Sequence, residues 1–354
     1  EGDADMKKTI AMICICGSLL CSFVSCKQEP VDNPTETPTG TSQQGESETI
    51  EANPVSDFEY IVNDSNTGIF ITKYVGDSEH VVIPAQINNL PVLTIQYSTD
   101  SETQKIVGAF ENSHIRSVCL PDSVRVIFHS AFQDCSDLTQ VLFGPNFGLE
   151  HISGGFENCT SLESIDLSTT KLKQIDSGAF SGCTSLKEVK FPDTLLKIGE
   201  KAFYQCTSLL EVHLPINLSE IESEAFGECT SLKRVVIPPQ LDLTAFDSAR
   251  FYHNFSLKQI VFEEGREAID GYAFFGIDSD LEIIVPKSVK QFSPMPFIVD
   301  SSLPIHIKIT FLGNCPEIIN ENDYFGIPTI YYDPDTKGWD AFAWKDKYQM
   351  EPIQ

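Results

Sequence analysis

The chain has 354 residues, with 24 Lys and Arg against 51 Asp and Glu, a formal charge of −27, and 11 cysteines. Such an acid excess excludes a nucleic-acid binder, because affinity for polyphosphate comes from basic side chains that displace counterions. At 41% hydrophobic residues the chain is too apolar to be disordered throughout, and it can bury a sizeable core.

In chain order, the first feature starts at Met6: Lys7 and Lys8, fifteen mostly apolar residues from Ile10 to Val24, then Ser25-Cys26. A basic start, a short apolar run and a small residue before the cut describe a secretory signal over residues 1–25. The run is too short for a spanning helix, which needs about 20 residues. Glu1 to Asp5 are acidic and read as an excess ahead of the start. Ser25-Cys26 resembles a bacterial lipobox, which makes Cys26 the lipid-bearing terminus, although Phe23 departs from the aliphatic residue usual at that place. An ordinary signal-peptidase cut and an uncleaved N-terminal anchor remain as alternatives. Beyond residue 25 the chain carries 22 basic and 48 acidic residues.

From Gln28 to Pro54 the composition is Pro, Thr, Ser, Gln and Glu with no aromatic side chain. Such a stretch cannot bury enough apolar area to offset its ordering entropy, so residues 26–56 are expected to be the anchor cysteine and a disordered tether. As a coil this tether spans about 30 Å. An N-terminal cap is expected over residues 57–100, repeats over 101–290 and a C-terminal cap over 291–354.

The repeats align on Phe110, Phe132, Phe156, Phe180, Phe203, Phe226, Phe251 and Phe274, at spacings of 22 to 25 residues, mostly within an Ala-Phe dipeptide. Each unit carries an L-x-x-V-x-L core, as in Leu186-Lys-Glu-Val189-Lys-Phe191, whose period of two marks a short strand with one buried face. Pro192, Pro215 and Pro238 follow directly and stop it. A second extended segment carries Leu172/Ile175, Leu195/Ile198 and Leu218/Ile221, and Ala-Phe then enters a turn. One coil presents only a narrow apolar ridge, so the coils must stack, with parallel strands about 4.8 Å apart. The period and the core pattern predict a leucine-rich-repeat solenoid, α/β horseshoe-like but mostly β, with short turns or 3-10 segments at Ala-Phe and a cap at each end.

Cys135, Cys159, Cys183, Cys206 and Cys229 share one position, three residues after the Phe, which Ser113 and Asn254 take in flanking units. A required metal ligand or disulfide partner does not normally exchange with Ser and Asn, whereas a buried group bonded to turn backbone can. Stacked equivalent positions also point their Cβ vectors the same way, against disulfide geometry. A ladder of reduced thiols is expected, with disulfides or a metal as the alternatives.

These units resemble the BspA-type (Treponema-type) leucine-rich repeats of bacterial surface proteins, whose pattern is C/N-x-x-L-x-x-I-x-L-P followed by L-x-x-I-x-x-x-A-F. The segment TGIFITKYVGDSEHVVIPAQINNLPVLTI is similar to that family's N-terminal cap and PTIYYDPDTKGWDAFAWKDKY to its C-terminal cap, so the likeness covers residues 57–350. Gly155, Arg250 and Arg266 depart from the pattern. The resemblance implies a secreted or surface protein used for adhesion or ligand capture, and it supplies no catalytic residue.

The residues themselves offer no catalytic motif: H-E-x-x-H, G-x-S-x-G, a P-loop and G-x-G-x-x-G are all missing, so no catalytic residue, cofactor or metal is expected. Asp333-Pro-Asp335-Thr-Lys-Gly338 opens like a calcium loop, but Lys337 sits where an oxygen ligand is wanted, so it reads as a polar turn. Trp339, Phe342 and Trp344 read as the plug of the solenoid's apolar end, with a carbohydrate platform as the sharper alternative.

What remains is the outward strand face. Across seven units its 21 positions hold six basic and four acidic residues, against 22 and 48 in the whole chain beyond residue 25. The candidate partner-binding residues are Arg116, Lys187, Lys190, Leu210, His213, Lys233, Arg234, Val236, Lys258 and Val261, with Leu210, Val236 and Val261 as exposed apolar spots. The other reading has the lysines pairing across strands with Glu188 and Glu211 and keeping the sheet soluble. The expectation is a non-catalytic, secreted monomer anchored by lipid to the outer membrane at the cell surface. It would bind an extracellular protein, an acidic one being favoured, and touch membrane through its lipid alone. A glycan captured by the C-terminal aromatics is the alternative.

Overall fold

The computed structural model of the protein describes residues 51–99, 102–144, 147–243, 250–251, 253–270, 280–293, 306–319 and 327–353. The expected signal with Cys14, Cys16 and Cys21, the anchor Cys26 and the tether up to residue 50 lie outside them, as does Phe274. The solenoid belongs to the second of two units, Ala52–Gln354, the first being Glu1–Glu51.

It is a mostly β solenoid of about eleven turns. Alternating burial along L-x-x-V-x-L builds a first column of parallel strands: His80–Val82, Ser117–Cys119, Gln140–Leu142, Ser164–Asp166, Glu188–Lys190, Glu211–His213, Arg234–Ile237 and Gln259–Phe262. The column goes on through Leu281–Val285, His306–Phe311, Ile327–Tyr332 and Gln349–Pro352. The second segment of each unit makes a second parallel column, Val126–Ile127, His151–Ile152, Gln174–Ile175, Lys197–Ile198 and Glu220–Ile221, with Ala268–Ile269, Gln291–Phe292 and Glu317–Ile318 further on. Among the described residues antiparallel pairing is confined to the N-terminal end, where Phe58–Val62 lies on Ile69–Tyr74, Gln86–Ile87 on Leu90–Ile95 and Tyr97–Thr99 on Ile106–Gly108.

At Ala-Phe the described units make turns, and among the described residues 3-10 geometry is confined to Val55–Asp57 and Trp339–Ala341. No described residue is in an α-helix, so the return path of each coil is turn and short strand. The turn depends on a left-handed residue two places after the Phe: Asn112, Asp134, Asn158, Gly182, Gln205, Glu228 and His253 all have positive φ, between 54° and 74°. That conformation is unfavourable for side chains other than Gly and Asn. It is held because the amide donates into the next coil, as Asn158 N does to Ser181 O at 2.8 Å and Gly182 N to Tyr204 O at 2.8 Å. The turn is thus hydrogen-bonded along the stack like the strands.

The core follows the same axis. Phe110, Phe132, Phe156, Phe180, Phe203, Phe226 and Phe251 are each fully buried, and successive rings stack at 4.8 to 5.4 Å. Burying one such ring is worth about 1.5–3 kcal/mol. Beside them the thiols of Cys135, Cys159, Cys183, Cys206 and Cys229 are reduced and buried. Each donates to the carbonyl of the preceding unit's Phe: Cys135 to Phe110 at 2.9 Å, Cys159 to Phe132 at 3.1 Å, Cys183 to Phe156 at 3.2 Å, Cys206 to Phe180 at 3.3 Å and Cys229 to Phe203 at 3.2 Å. Asn254 makes the same bond to Phe226 O through Nδ2 at 2.9 Å, which is why an amide can replace a thiol there. Burial pushes the Cys135, Cys183 and Cys229 thiols up to about 12 and those of Cys159 and Cys206 well above their ordinary value.

Of the three departures, Gly155 leaves the stack regular, since a Cβ there would meet Ile127 Cγ2 at 2.7 Å and Phe156 still stacks at 5.0 and 5.2 Å on its neighbours. Arg250 and Arg266 are buried at 3% and 7% exposure. Arg250 Nε donates to Ile221 O at 2.8 Å, while its Nη1 has no partner. Arg266 Nη2 donates to Pro238 O at 3.1 Å and Leu241 O at 2.5 Å. Trp339, Phe342 and Trp344 are 8%, 2% and 2% exposed and pack on one another and on Phe292 and Phe311. The Asp333–Gly338 segment is a turn in which Asp335 N donates to Asp333 Oδ1 at 3.0 Å and Thr336 Oγ1 to Asp333 O at 2.6 Å.

Candidate functional site

The outward face of the first column is a set of in-register rows. One runs Glu211, Arg234, Gln259, Glu282, Lys308, Thr329; the next runs His213, Val236, Val261, Ile284, Thr310, Tyr331. Neighbours in a row sit one strand apart, close enough for side chains to bond across. Arg234 Nη1 donates to Glu211, and Arg234 Nε donates to Gln259 Oε1 at 2.8 Å. Gln259 Nε2 donates to Glu282 Oε2 at 2.6 Å, and Lys308 Nζ meets Glu282 Oε1 at 2.7 Å. The Lys308 ammonium also lies over the Tyr331 ring, 4.9 Å from its centroid. Burial raises the Glu211 carboxyl, but hydrogen bonds from Arg234 and His213 outweigh it and hold the group below its ordinary value. Glu282 behaves likewise, against burial, through Lys308 and Gln259.

The expected cross-strand pairing therefore accounts for most of the basic candidates. Arg116 meets Glu79 at 2.7 Å, Lys187 meets Glu163 at 3.0 Å, and Lys190 meets Asp166 at 3.5 Å and Glu188 at 3.8 Å. His213 Nε2 is 2.5 Å from Glu211 Oε1. Lys233 and Lys258 differ: both are exposed, and among the described residues neither ammonium has an ion pair. They occupy equivalent places on adjacent strands, Lys258 N donating to Lys233 O at 2.9 Å.

The apolar candidates separate. Leu210 is 46% exposed, as expected, and Val261 is half-buried. Val236 is not an exposed spot: it is 5% exposed, a short side chain between His213 and Val261 in its row. Cys119, at an outward position of its strand, is likewise covered, at 4% exposure between Val82 and Leu142.

An open cavity of about 390 Å³ lies on this face against Lys258, Leu281, His306, Ile307, Thr329 and Tyr331, with Asp280, Glu282 and Lys308 also on its wall. Apart from Lys258, its residues escaped the sequence reading because Ala-Phe, the marker of the units, stops before them. The remaining signal was the period-two burial of Leu281, Ile283, Val285 and of Ile307, Ile309, Phe311. Tyr331 puts an aromatic ring on a face whose seven marked units hold none. Trp339, Phe342 and Trp344, by contrast, have their rings in the core and offer no open platform for a sugar.

Parallel two-column stacking, a Phe spine and an exposed strand face define a leucine-rich-repeat solenoid. The profile of the BspA type leucine rich repeat region matches in six copies, at residues 86–184, 106–215 and 173–304, more than half of the chain. The chain belongs to this family, whose members are typically bacterial surface proteins and generally non-catalytic solenoids. Among solved structures it is similar to a leucine-rich repeat protein of T. pallidum, at 27% identity over 66% of this chain and 86% of that one, with a TM-score of 0.43. A leucine-rich cell surface protein of Faecalibacterium prausnitzii A2-165 is 22% identical over 75% and 90% of the two chains, TM-score 0.38. A leucine-rich-repeat protein of Bacteroides ovatus ATCC 8483 is 16% identical over 86% and 100%, TM-score 0.32. No curated protein matches the chain. Among the described residues no helix is long and apolar enough to cross a membrane.

Proposed function

We propose that the protein is a non-catalytic, lipid-anchored adhesion or capture module that holds an extracellular protein partner against the outward face of its first strand column. The observation that carries this is the face itself: exposed side chains fixed in register by backbone ladders, bearing a concentration of cations that the rest of a strongly acidic chain does not have. Such a surface is broad, rigid and pre-organised, which lowers the ordering cost of docking a partner. Anchoring rests on Cys26 at the end of the signal-like segment, and the Pro/Thr/Ser/Glu stretch after it would hold the solenoid clear of an outer membrane.

Two experiments test the reading. Metabolic acyl labelling should be lost on Cys26→Ala, and protease added to intact cells should remove the solenoid if it faces outward. Purified solenoid should bind at least one member of a panel of purified host-matrix and bacterial surface proteins. Triple reversal of Lys187, Lys233 and Arg234 to Glu should abolish that binding; retention would sink the assignment to this face.

A further inference from the structure

The cations of the strand face are not equivalent. Arg116, Lys187, Lys190, Arg234 and Lys308 each have a carboxylate within 3.5 Å. Among the described residues Lys233 and Lys258 have none, although they stand side by side on adjacent strands. The acids nearest to them are engaged: Glu211 by Arg234 and His213, Glu282 by Gln259 and Lys308, and Asp280 Oδ1 by the His306 amide at 3.1 Å. Two like charges held in register with no counter-charge form a local positive field on an acidic protein.

The cavity opens beside the same Lys258. Its floor includes Leu281 and Ile307, which are 5% and 2% exposed, and its wall carries Thr329, His306 and the Tyr331 ring. At about 390 Å³ it is at the small end of ligand sites. It would admit a side chain or two, and a folded surface would have to enter it as a protruding segment. On the other flank of the lysines Leu210 stands exposed.

We infer that Lys233, Lys258 and the cavity beside them form one recognition site for a short, extended acidic segment of a partner protein. The segment's carboxylates lie on the two ammonium groups, and an adjoining apolar or aromatic side chain sits over Leu281 and Ile307 against Tyr331. The inference rests on the strand-face reading above and narrows it to one end of that face and one chemistry of partner. Charge complementarity selects the occupant: the unpaired groups are cationic, while Glu211 and Glu282 beside them are already paired with Arg234 and Lys308.

The test uses the whole solenoid, a fluorescent peptide Glu-Glu-Leu-Glu-Tyr-Glu-Glu and its analogue with Gln for every Glu. The acidic peptide should bind, weaken as salt is raised, and lose at least tenfold in affinity on Lys233→Glu/Lys258→Glu and severalfold on Tyr331→Ala. Reversing Lys290, which is paired with Glu267 beside the second column, to Glu should change affinity less than twofold. The double variant should keep the wild-type unfolding temperature, because neither ammonium holds an ion pair. No binding of the acidic peptide, equal binding of the Gln analogue, or unchanged affinity in the double variant each overturns the inference. If a partner found in the panel still binds the double variant and is lost only on the triple reversal, this site fails while the wider strand-face function stands.

Discussion

The turns from Phe132 to Phe226 and the turn that ends at Phe251 solve the same packing problem with different atoms. In the first group the second-column carbonyls of Ile152, Ile175 and Ile198 accept amides from the next coil, Asp176, Gly199 and Glu222, at 2.8, 2.8 and 2.9 Å. At Ile221 the donor is Arg250 Nε, reaching in from the position that Ala holds in most of the other units. Arg266 serves two further carbonyls of that coil from a place where its neighbours carry Leu or Val. Inside the core only a long, donor-rich side chain reaches a carbonyl of the preceding coil from that position. The replacement is costly. A buried guanidinium loses several kcal/mol of hydration, burial lowers the pKa of both arginines, and Arg250 Nη1 is left without a partner.

Alkali should separate the two regions most. The buried thiols have pKa values raised above their ordinary 9.0, so the native state keeps their protons longer than the unfolded chain does. Their contribution is complete below about pH 9 and is lost as pH rises towards about 12, amounting to about 4 kcal/mol for a rise of three pKa units. Thermal unfolding should be nearly level from pH 6 to about 8.5 and fall steeply above it. Cys183→Ala should start lower, by about 1 kcal/mol for the lost hydrogen bond, and fall less steeply; an identical slope would contradict the thiol assignment. The turn carrying Asn254 has no such proton to lose.

Next in size is a transplant. Ala225→Arg would place a guanidinium where the Ile198 carbonyl is already bonded to Glu222 N, so the cation is buried without a role, at a cost of about 3–5 kcal/mol in denaturant unfolding. The reverse change, Arg250→Ala, removes the buried charge together with its bond to the Ile221 carbonyl, and should destabilise by about 1–3 kcal/mol. A stabilised Arg250→Ala would show that the guanidinium is tolerated and does not act as a backbone substitute. Smallest is Lys187→Ala, which loses an exposed pair with Glu163 and should shift stability by less than about 0.5 kcal/mol.

The spine and the thiol ladder were legible because one residue type recurs at one place every 22 to 25 residues, and Asn254 at a cysteine position already pointed to a hydrogen bond. The ion pairs were legible only in part. Lys187 with Glu163 and Arg234 with Glu211 stand one unit apart, so choosing between pairing and recognition needed the register across coils. Exposure could not be read from orientation: Val236 and Cys119 occupy outward positions and are nonetheless buried. The cavity was missed because strands such as His306–Phe311 carry no Ala-Phe marker.

The amides of the left-handed turn residues Asn112, Asp134, Asn158, Gly182 and Gln205, like those of the strands, bond from coil to coil along the stack. Tension applied between Ala52 and Ile353 therefore pulls directly on the bonds between coils, and coils should detach one after another. Each detached coil releases about 23 residues, roughly 75 Å of extended chain at about 3.3 Å per residue. Under load the solenoid would lengthen in steps of that size.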